Sequence, residues 1–149
     1  MKIFLASDHA GYDLKQQIIA FLQQQYYEAI DLGCDSATNS VDYPDFAHKL
    51  ATNLTNSLYY GILICGSGIG ISISANRHPH IRAALCHSVK LAKLARAHNN
   101  ANVLCLGARM VKSKTALNIV KNFLKQPFEA GRHVNRINKI NPFELLHHK

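Results

Sequence analysis

Between Tyr60 and Gly70 the chain changes chemistry abruptly, and few folds accept such a segment. Ile62-Leu63-Ile64 is a continuous apolar run, which reads as a strand buried on both faces. Cys65 stands at its end, and Gly66-Ser67-Gly68-Ile69-Gly70 follows. The pattern then turns helical through Ile71, Ser72, Ser74 and Ala75 to Asn76. A strand, a glycine-rich turn and a helix N-terminus in that order make a nest of backbone N–H groups aimed at an anion. A thiol there sees the positive end of a helix, which favours the thiolate. The same residues also suit a plain tight turn beside a small buried hydrophobe.

The rest of the chain repeats the alternation of strand and helix. Ile3 to Ala6 is a short buried strand, followed by Ser7-Asp8-His9-Ala10-Gly11. Leu14, Ile18, Phe21 and Leu22 then recur at helical spacing, with Lys15, Gln16, Gln23 and Gln24 on the other face. Ala29 to Leu32 is a second strand, stopped by Gly33, and 33–42 is a polar loop. Pro44 sits in the first turn of a helix that carries Phe46, Leu50 and Leu54 inward and ends near Asn56. Beyond Pro79, Ile81 to Cys86 is a fourth strand. Ser88 caps a helix running through Leu91, Leu94 and Ala95 that gives out at His98-Asn99-Asn100. Val103 to Gly107 is a fifth strand. Ser113 caps the next helix, with Leu117, Val120 and Leu124 inward and Pro127 at its end. Leu146 to Lys149 reads as a frayed end. The alternation predicts an α/β fold, a parallel sheet with helices on both faces.

At 149 residues, 48% hydrophobic and 17% charged, the chain reads as one soluble domain with a real core. No apolar run reaches the length of a membrane span, and Met1-Lys2-Ile3 opens directly into a strand. A cytoplasmic protein without a signal peptide is expected. Cys34, Cys65, Cys86 and Cys105 form no Cys-x-x-Cys pair, and no His is spaced to complete a zinc site, so reduced thiols are expected. The net charge of +8 suits anionic partners. With no Trp and no basic run interleaved with aromatics, nucleic acid is disfavoured.

In a parallel sheet, ligands bind outside the carboxyl ends of the strands. There stand Asp8 and His9, Cys65 with its glycines, and Arg109. His98 and Asn99 precede the fifth strand, which puts them at the opposite edge unless their loop is pulled across. Each residue has a plainer use. Asp8 can cap the first helix, His98-Asn99 can be a helix C-terminus with a dipole-favoured His, and Arg132 with Arg136 can be a solvated basic face. Together, a thiol, a carboxylate, imidazoles, guanidiniums and an N–H nest suit a phosphate-bearing substrate and proton transfer through an oxyanionic intermediate. They do not name the reaction.

Ser7-Asp8-His9-Ala10-Gly11, Asp42-Tyr43-Pro44, Gly61 to Gly70, His98-Asn99, Gly107-Ala108-Arg109 and Gly131-Arg132-His133 closely resemble the type B ribose-5-phosphate isomerases, a family that includes the galactose-6-phosphate isomerase subunits. The match runs in register from Met1 to about Ile140. The resemblance implies a Rossmann-like three-layer sandwich with a five-stranded parallel sheet. It implies interconversion of ribose 5-phosphate and ribulose 5-phosphate through a cis-enediolate, without metal or organic cofactor. It further implies a single domain over 1–149 in a homodimer or dimer of dimers, with part of each site, and the tail from 131, shared with the neighbouring subunit.

By position, Cys65 resembles the base that moves the proton between C1 and C2. Members lacking this Cys place a Glu a few residues downstream, where Ser72-Ile73-Ser74 stands here. Ser67 matches a hydroxyl that assists proton shuffling, and Gly66, Gly68, Ile69 and Gly70 match the donors to the enediolate. His98 with Asp8 matches the pair that opens the furanose ring, and Asn99 a ligand of a sugar oxygen. His9, Arg109, Arg132 and Arg136 match the phosphate grip, while Tyr43 lines the pocket. His133 either joins the phosphate site or packs beside it.

Three rivals stand beside this reading. Isomerisation of a six-carbon substrate, galactose 6-phosphate or allose 6-phosphate, differs only in pocket length. A low-molecular-weight tyrosine phosphatase needs Arg then Ser or Thr after its loop, and Ile71-Ser72 excludes it. A non-catalytic phosphosugar or nucleic-acid binder would not need the thiol.

Overall fold

The computed structural model describes residues 1–141. Its centre is a parallel sheet of five strands: β1 (Lys2–Ser7), β2 (Glu28–Asp31), β3 (Tyr60–Cys65), β4 (Ala83–Leu85) and β5 (Val103–Gly107), in the order β2-β1-β3-β5-β4. Helices α1 (Tyr12–Gln24), α4 (Val89–Asn99) and α5 (Ser113–Lys125) cover one face. Helices α2 (Tyr43–Asn53) and α3 (Ile69–Ala75) cover the other. A short α6 (His133–Asn138) packs against α4.

The period of two in the strands explains this sandwich. Ile3, Leu5, Ile62, Ile64, Leu104 and Leu106 point into the layer under α1, α4 and α5. Phe4, Ala6, Leu63, Cys65, Val103 and Cys105 point into the layer under α2 and α3. Strands apolar on both sides can only be stable covered on both sides. From β1 the chain runs outward to β2, then crosses back to β3. The carboxyl ends of β1 and β3 therefore flank the point where the winding reverses, the crevice that α/β sheets use for ligands.

Several elements depart from the pattern reading. Lys15 is not on the solvent face: it is fully buried, its Nζ donating to Asp31 Oδ1 at 2.5 Å and to the Cys34 carbonyl at 2.7 Å. The alkyl stem packs in the core while the ammonium finds polar partners at the end of β2. In α4 the buried face is Ala92, Ala95 and Arg96, whereas Leu91 and Leu94 are 45% and 36% exposed. Small alanines let this helix lie close to the sheet, and hydrophobicity alone picks the wrong stripe. The edge strand β4 is shorter than 81–86. The Asn102 side-chain oxygen accepts the Arg82 N–H, taking the donor just before the strand, and Asn76 Oδ1 accepts the N–H of Ala83, its first residue. Helix α2 stops at Asn53, short of Asn56, and the extended residue before α5 is Lys112, so Ser113 is its first helical residue. Ser88 does cap α4, accepting from the Leu91 N–H at 3.2 Å. The expectation for 146–149 lies outside the described residues.

Lys15 also governs the loop after β2. Asp31 Oδ1 accepts from the Gly33 N–H at 2.9 Å, and Ser7 exchanges backbone hydrogen bonds with Gly33 and Cys34. The segment is thereby held against the residue that precedes Asp8. Burial alone would raise the Asp31 carboxyl, but the Lys15 ammonium, the Gly33 N–H and the Gln16 amide override it and hold the group below the usual carboxylate range. A depressed carboxylate stabilises the fold above its unfolded value near pH ~4, and that stabilisation is lost as pH falls through the folded value. Asp31→Asn should therefore lower stability by on the order of 1–2 kcal/mol at pH 7, the half-exposed carboxylate keeping the figure small. Thermal melts of the two proteins as a function of pH should converge below about pH 4.

Candidate active site

Three strand ends build a cleft of about 570 Å³ at the carboxyl edge of the sheet. From β1 comes Asp8, only 6% exposed, whose backbone N–H reaches the Ile64 carbonyl at 3.2 Å. Its Oδ1 accepts from the Gly11 N–H at 3.2 Å, so the side chain does cap the following 3-10 turn (His9–Gly11) while it also lines the cleft. His9 lies in that turn, its Nδ1 accepting from the Val41 N–H at 3.2 Å. That bond puts the proton of the neutral ring on Nε2.

From β3 comes Cys65, 4% exposed at the floor of the cleft. The turn closes back on it: the Gly68 N–H donates to Cys65 Sγ at 3.1 Å, and the Ile69 N–H donates to Ser67 Oγ at 3.1 Å. The N–H nest expected from the sequence thus already holds the thiol, with the Ser67 hydroxyl tied beside it. Gly68 has φ +79°, and a Cβ there would lie 2.8 Å from the Leu106 carbonyl carbon and 2.5 Å from Leu85 Cδ1. A side chain is excluded both by conformation and by space.

From β5 comes Arg109. Ala108 and Arg109 donate backbone N–H bonds to Cys65 and Gly66 at 2.9 and 3.0 Å, and the Arg109 guanidinium packs over Gly66. Tyr43, at the start of α2, lays its ring against Gly70. The structure therefore brings together Asp8, Tyr43, Cys65, Gly66, Ser67, Ile69, Gly70 and Arg109. Ile73 joins them, one turn beyond Ile69 on α3, a residue the motif reading passed over although its helical spacing from Ile69 was visible. The remaining thiols are core groups: burial pushes Cys86 up to about 11 and Cys105 well up, the latter also beside Cys65 and Cys86. All four cysteines are free, as expected.

His98 and Asn99 lie elsewhere, at the end of α4 and so at the amino edge of the sheet. Within one chain they do not join Cys65. Asn99 faces a separate cleft beside β4, and the His98 ring stacks on His133, centroids 4.3 Å apart and 16° from parallel. Glu129, which no sequence motif singled out, sets its Oε2 at 3.9 Å from His98 Nε2 and 3.8 Å from His133 Nε2. Burial, with His98 and Arg132 alongside, holds the His133 imidazole below its usual range, against the pull of Glu129. Arg136 acts on the same ring. This second cluster gathers His98, Glu129, Arg132 and Arg136 around His133, with Asn99 apart from it in the cleft beside β4. Its ligand atoms on His98, Glu129 and His133 lie within 4.8 Å of one another, the only such group among the described residues. The two arginines beside it oppose a dication and favour an anion.

Each chain thus carries two polar clusters at opposite edges of its sheet. One has a thiol in a donor-rich turn with a carboxylate and a guanidinium. The other has an imidazole pair with two guanidiniums. No helix among the described residues is long and apolar enough to cross a membrane.

Known proteins share this architecture. The family profile described as Ribose/Galactose Isomerase matches residues 3–140. Ribose-5-phosphate isomerase B of Mycolicibacterium paratuberculosis is 44% identical over 149 residues, covering 99% of this chain and 94% of that protein. The solved structure of ribose-5-phosphate isomerase B from Clostridium thermocellum superposes with a TM-score of 0.93 at 48% identity, over 98% of this chain and 99% of that one. That of Mycoplasma genitalium, with ribulose-5-phosphate bound, superposes with a TM-score of 0.88 at 44% identity, over 97% and 96% of the two chains.

The glycine contacts separate two effects. A Cβ on Gly66 would meet only the end of the Arg109 side chain, at 2.8 Å from Nη1. Gly66→Ala should fold with a melting temperature near wild type yet displace that guanidinium, raising KM for a phosphorylated substrate. Gly68→Ala should lose about 2–4 kcal/mol from left-handed strain and overpacking, read as a fall in denaturant midpoint.

Proposed function

The chain belongs to the ribose/galactose isomerase family, and from that premise we propose that it interconverts D-ribose 5-phosphate and D-ribulose 5-phosphate as an aldose–ketose isomerase. The observation that carries the reading is Cys65: a thiol at the floor of a cleft, held by a backbone N–H and flanked by a buried carboxylate and a guanidinium. The ketose phosphate bound to the Mycoplasma genitalium relative is the product this reading requires.

The chemistry follows from the groups present. Arg109 and His9, joined by Arg132 and Arg136, hold the phosphate, where guanidinium and N–H donors meet its oxygens. Asp8 and His98 open the furanose: one gives a proton to the ring oxygen while the other takes the proton of the anomeric hydroxyl. Cys65 then removes the C2 proton of the open aldehyde, and the electron pair moves to the oxygens as a cis-enediolate. Returning the proton to C1 yields the ketose. Donors fixed in advance around Gly66 to Gly70 stabilise the enediolate, each typically worth a few kcal/mol. Ser67 Oγ passes a proton between O1 and O2, and Asn99 holds a sugar hydroxyl. Tyr43 and Ile69 wall the cleft.

Because His98 and Cys65 sit at opposite edges of one sheet, a working site takes them from two chains. The active species in this reading is a homodimer, or a dimer of such dimers, of single-domain chains. The segment from 131 contributes across the subunit contact. The reaction needs no metal or organic cofactor, since base, acid and oxyanion donors are all protein groups. A cytoplasmic location and a phosphosugar partner, rather than nucleic acid, complete the reading.

Two measurements test it. With EDTA present, wild type should convert ribose 5-phosphate to ribulose 5-phosphate, and Cys65→Ala should fall by about 10²–10⁴-fold. Full activity of that variant would remove the thiol from the mechanism. Mixing unfolded Cys65→Ala and His98→Ala and refolding them together should recover about a quarter of wild-type turnover, since half the dimers are mixed and each of those has one intact site. No recovery would mean that each site is built within one chain.

A further inference from the structure

A buried arginine lies directly beneath the His98–Asn99 turn, and the chemistry above makes no use of it. Arg96 is 5% exposed, on the face of α4 turned to the sheet. Its guanidinium lies 4.8 Å from the Tyr60 ring centroid and 5.8 Å from that of Phe123. Among the described residues no carboxylate pairs with it, and its Nε has no hydrogen-bond partner. Burying a cation without a counter-ion is expensive, and an apolar side chain of similar size would fill the same space more favourably. What the guanidinium supplies, and an apolar chain would not, is a pair of fixed hydrogen bonds.

Both of those bonds go to the residues that follow Asn99. Arg96 Nη1 donates to Asn100 Oδ1 at 2.8 Å and to the Ala101 carbonyl at 2.7 Å. Asn100 is left-handed, φ +45°, with its N–H closing the end of α4 on the Ala95 and Arg96 carbonyls. The Asn100 carbonyl in turn accepts from Arg82 Nε at 2.9 Å. The turn is thus held from below at its side chain and at two successive carbonyls. Just beyond it, the Ala97 carbonyl accepts from the Glu129 N–H at 3.0 Å, which fastens the segment carrying His133 to the same end of the helix. The His98 imidazole therefore has little freedom: its backbone is fixed by the arginine-locked turn, and its ring by the stack on His133.

We propose that Arg96 is a positioning residue for ring opening: by clamping Asn100 and Ala101 it holds His98 where its proton can reach the sugar ring bound in the partner's cleft. The proposal rests on the reading of His98 as the ring-opening group. It commits Arg96 to one step of the reaction and not to proton transfer at Cys65.

Two assays on the same protein separate those steps. The first is turnover of ribose 5-phosphate, which must open a furanose. The second is exchange of the C1 hydrogen of ribulose 5-phosphate with deuterium from solvent, followed by proton NMR. The ketose bears its phosphate on the C5 oxygen and cannot close a furanose, so exchange needs the thiol but no ring opening. His98→Ala provides the reference pattern: turnover lower by about 10²–10⁴-fold, exchange near wild type. Arg96→Met should show the same split, with turnover lower by about 10–100-fold. Arg96→Lys, which keeps a donor within reach of both oxygens, should recover most of it. Should Arg96→Met fail to fold, Asn100→Gly keeps the left-handed backbone, removes the Oδ1 acceptor, and should give the same split. Unchanged turnover in a folded variant, or turnover and exchange falling in step, overturns the proposal. Equal loss of both assays in His98→Ala overturns instead the ring-opening reading beneath it.

Discussion

The left-handed turn at Gly68 is the constraint on which the site depends. It lets the chain leave the central strand β3, fold its own N–H back onto Cys65 and enter α3 within three residues. The turn fits only because β5 lies alongside, its Leu106–Gly107 backbone against the glycine and its Ala108 and Arg109 N–H groups donating into the turn. Strand pairing and site assembly are therefore one event. If β3 and β5 shifted by one residue, Cys65 would turn to the other face of the sheet and Arg109 would lose its seat over Gly66.

Electrostatics divides the molecule along the same lines. In the core, the buried cations among the described residues sit where polar backbone is gathered. Lys15 sits between Asp31 and the Cys34 carbonyl, and Arg96 sits under the Asn100–Ala101 turn. Each buried cation fixes irregular backbone beside a polar cluster, the loop after β2 that pairs with Ser7 next to Asp8 in one case and the turn after His98 in the other. Burial of charge is here a means of fixing irregular backbone, which strands and helices cannot do for themselves.

How much of this was legible in the sequence follows from whether a feature is local. The run ending at Cys65, the proline in the first turn of α2, the Ser88 cap and the strand Val103–Gly107 are set by neighbouring residues, and the pattern found them. The burial of Lys15 was not legible, because its partners come from another element and a lysine at helical spacing looks solvated. Which face of α4 is buried was not legible either: packing favours the small face of Ala92 and Ala95 that comes close, not the leucines Leu91 and Leu94. In the site, Cys65, Asp8 and Arg109 were readable as strand-end residues. Glu129 and Arg96 were not, since nothing around them in the chain marks them and their roles exist only through contacts made across the fold.

The four glycines at the cleft each answer to a different neighbour: Gly66 to Arg109, Gly68 to the backbone of β5, Gly70 to the Tyr43 ring and Gly107 to the Ser67 carbonyl. In evolutionary terms the turn is a trap for drift. A core leucine can become isoleucine in one step and be refined later. A first step at any of these glycines is a loss, and the compensating change lies in another strand or helix. Sequence change in this enzyme should therefore spread through its helices while the turn stays behind, kept not by one indispensable atom but by four separate absences of room.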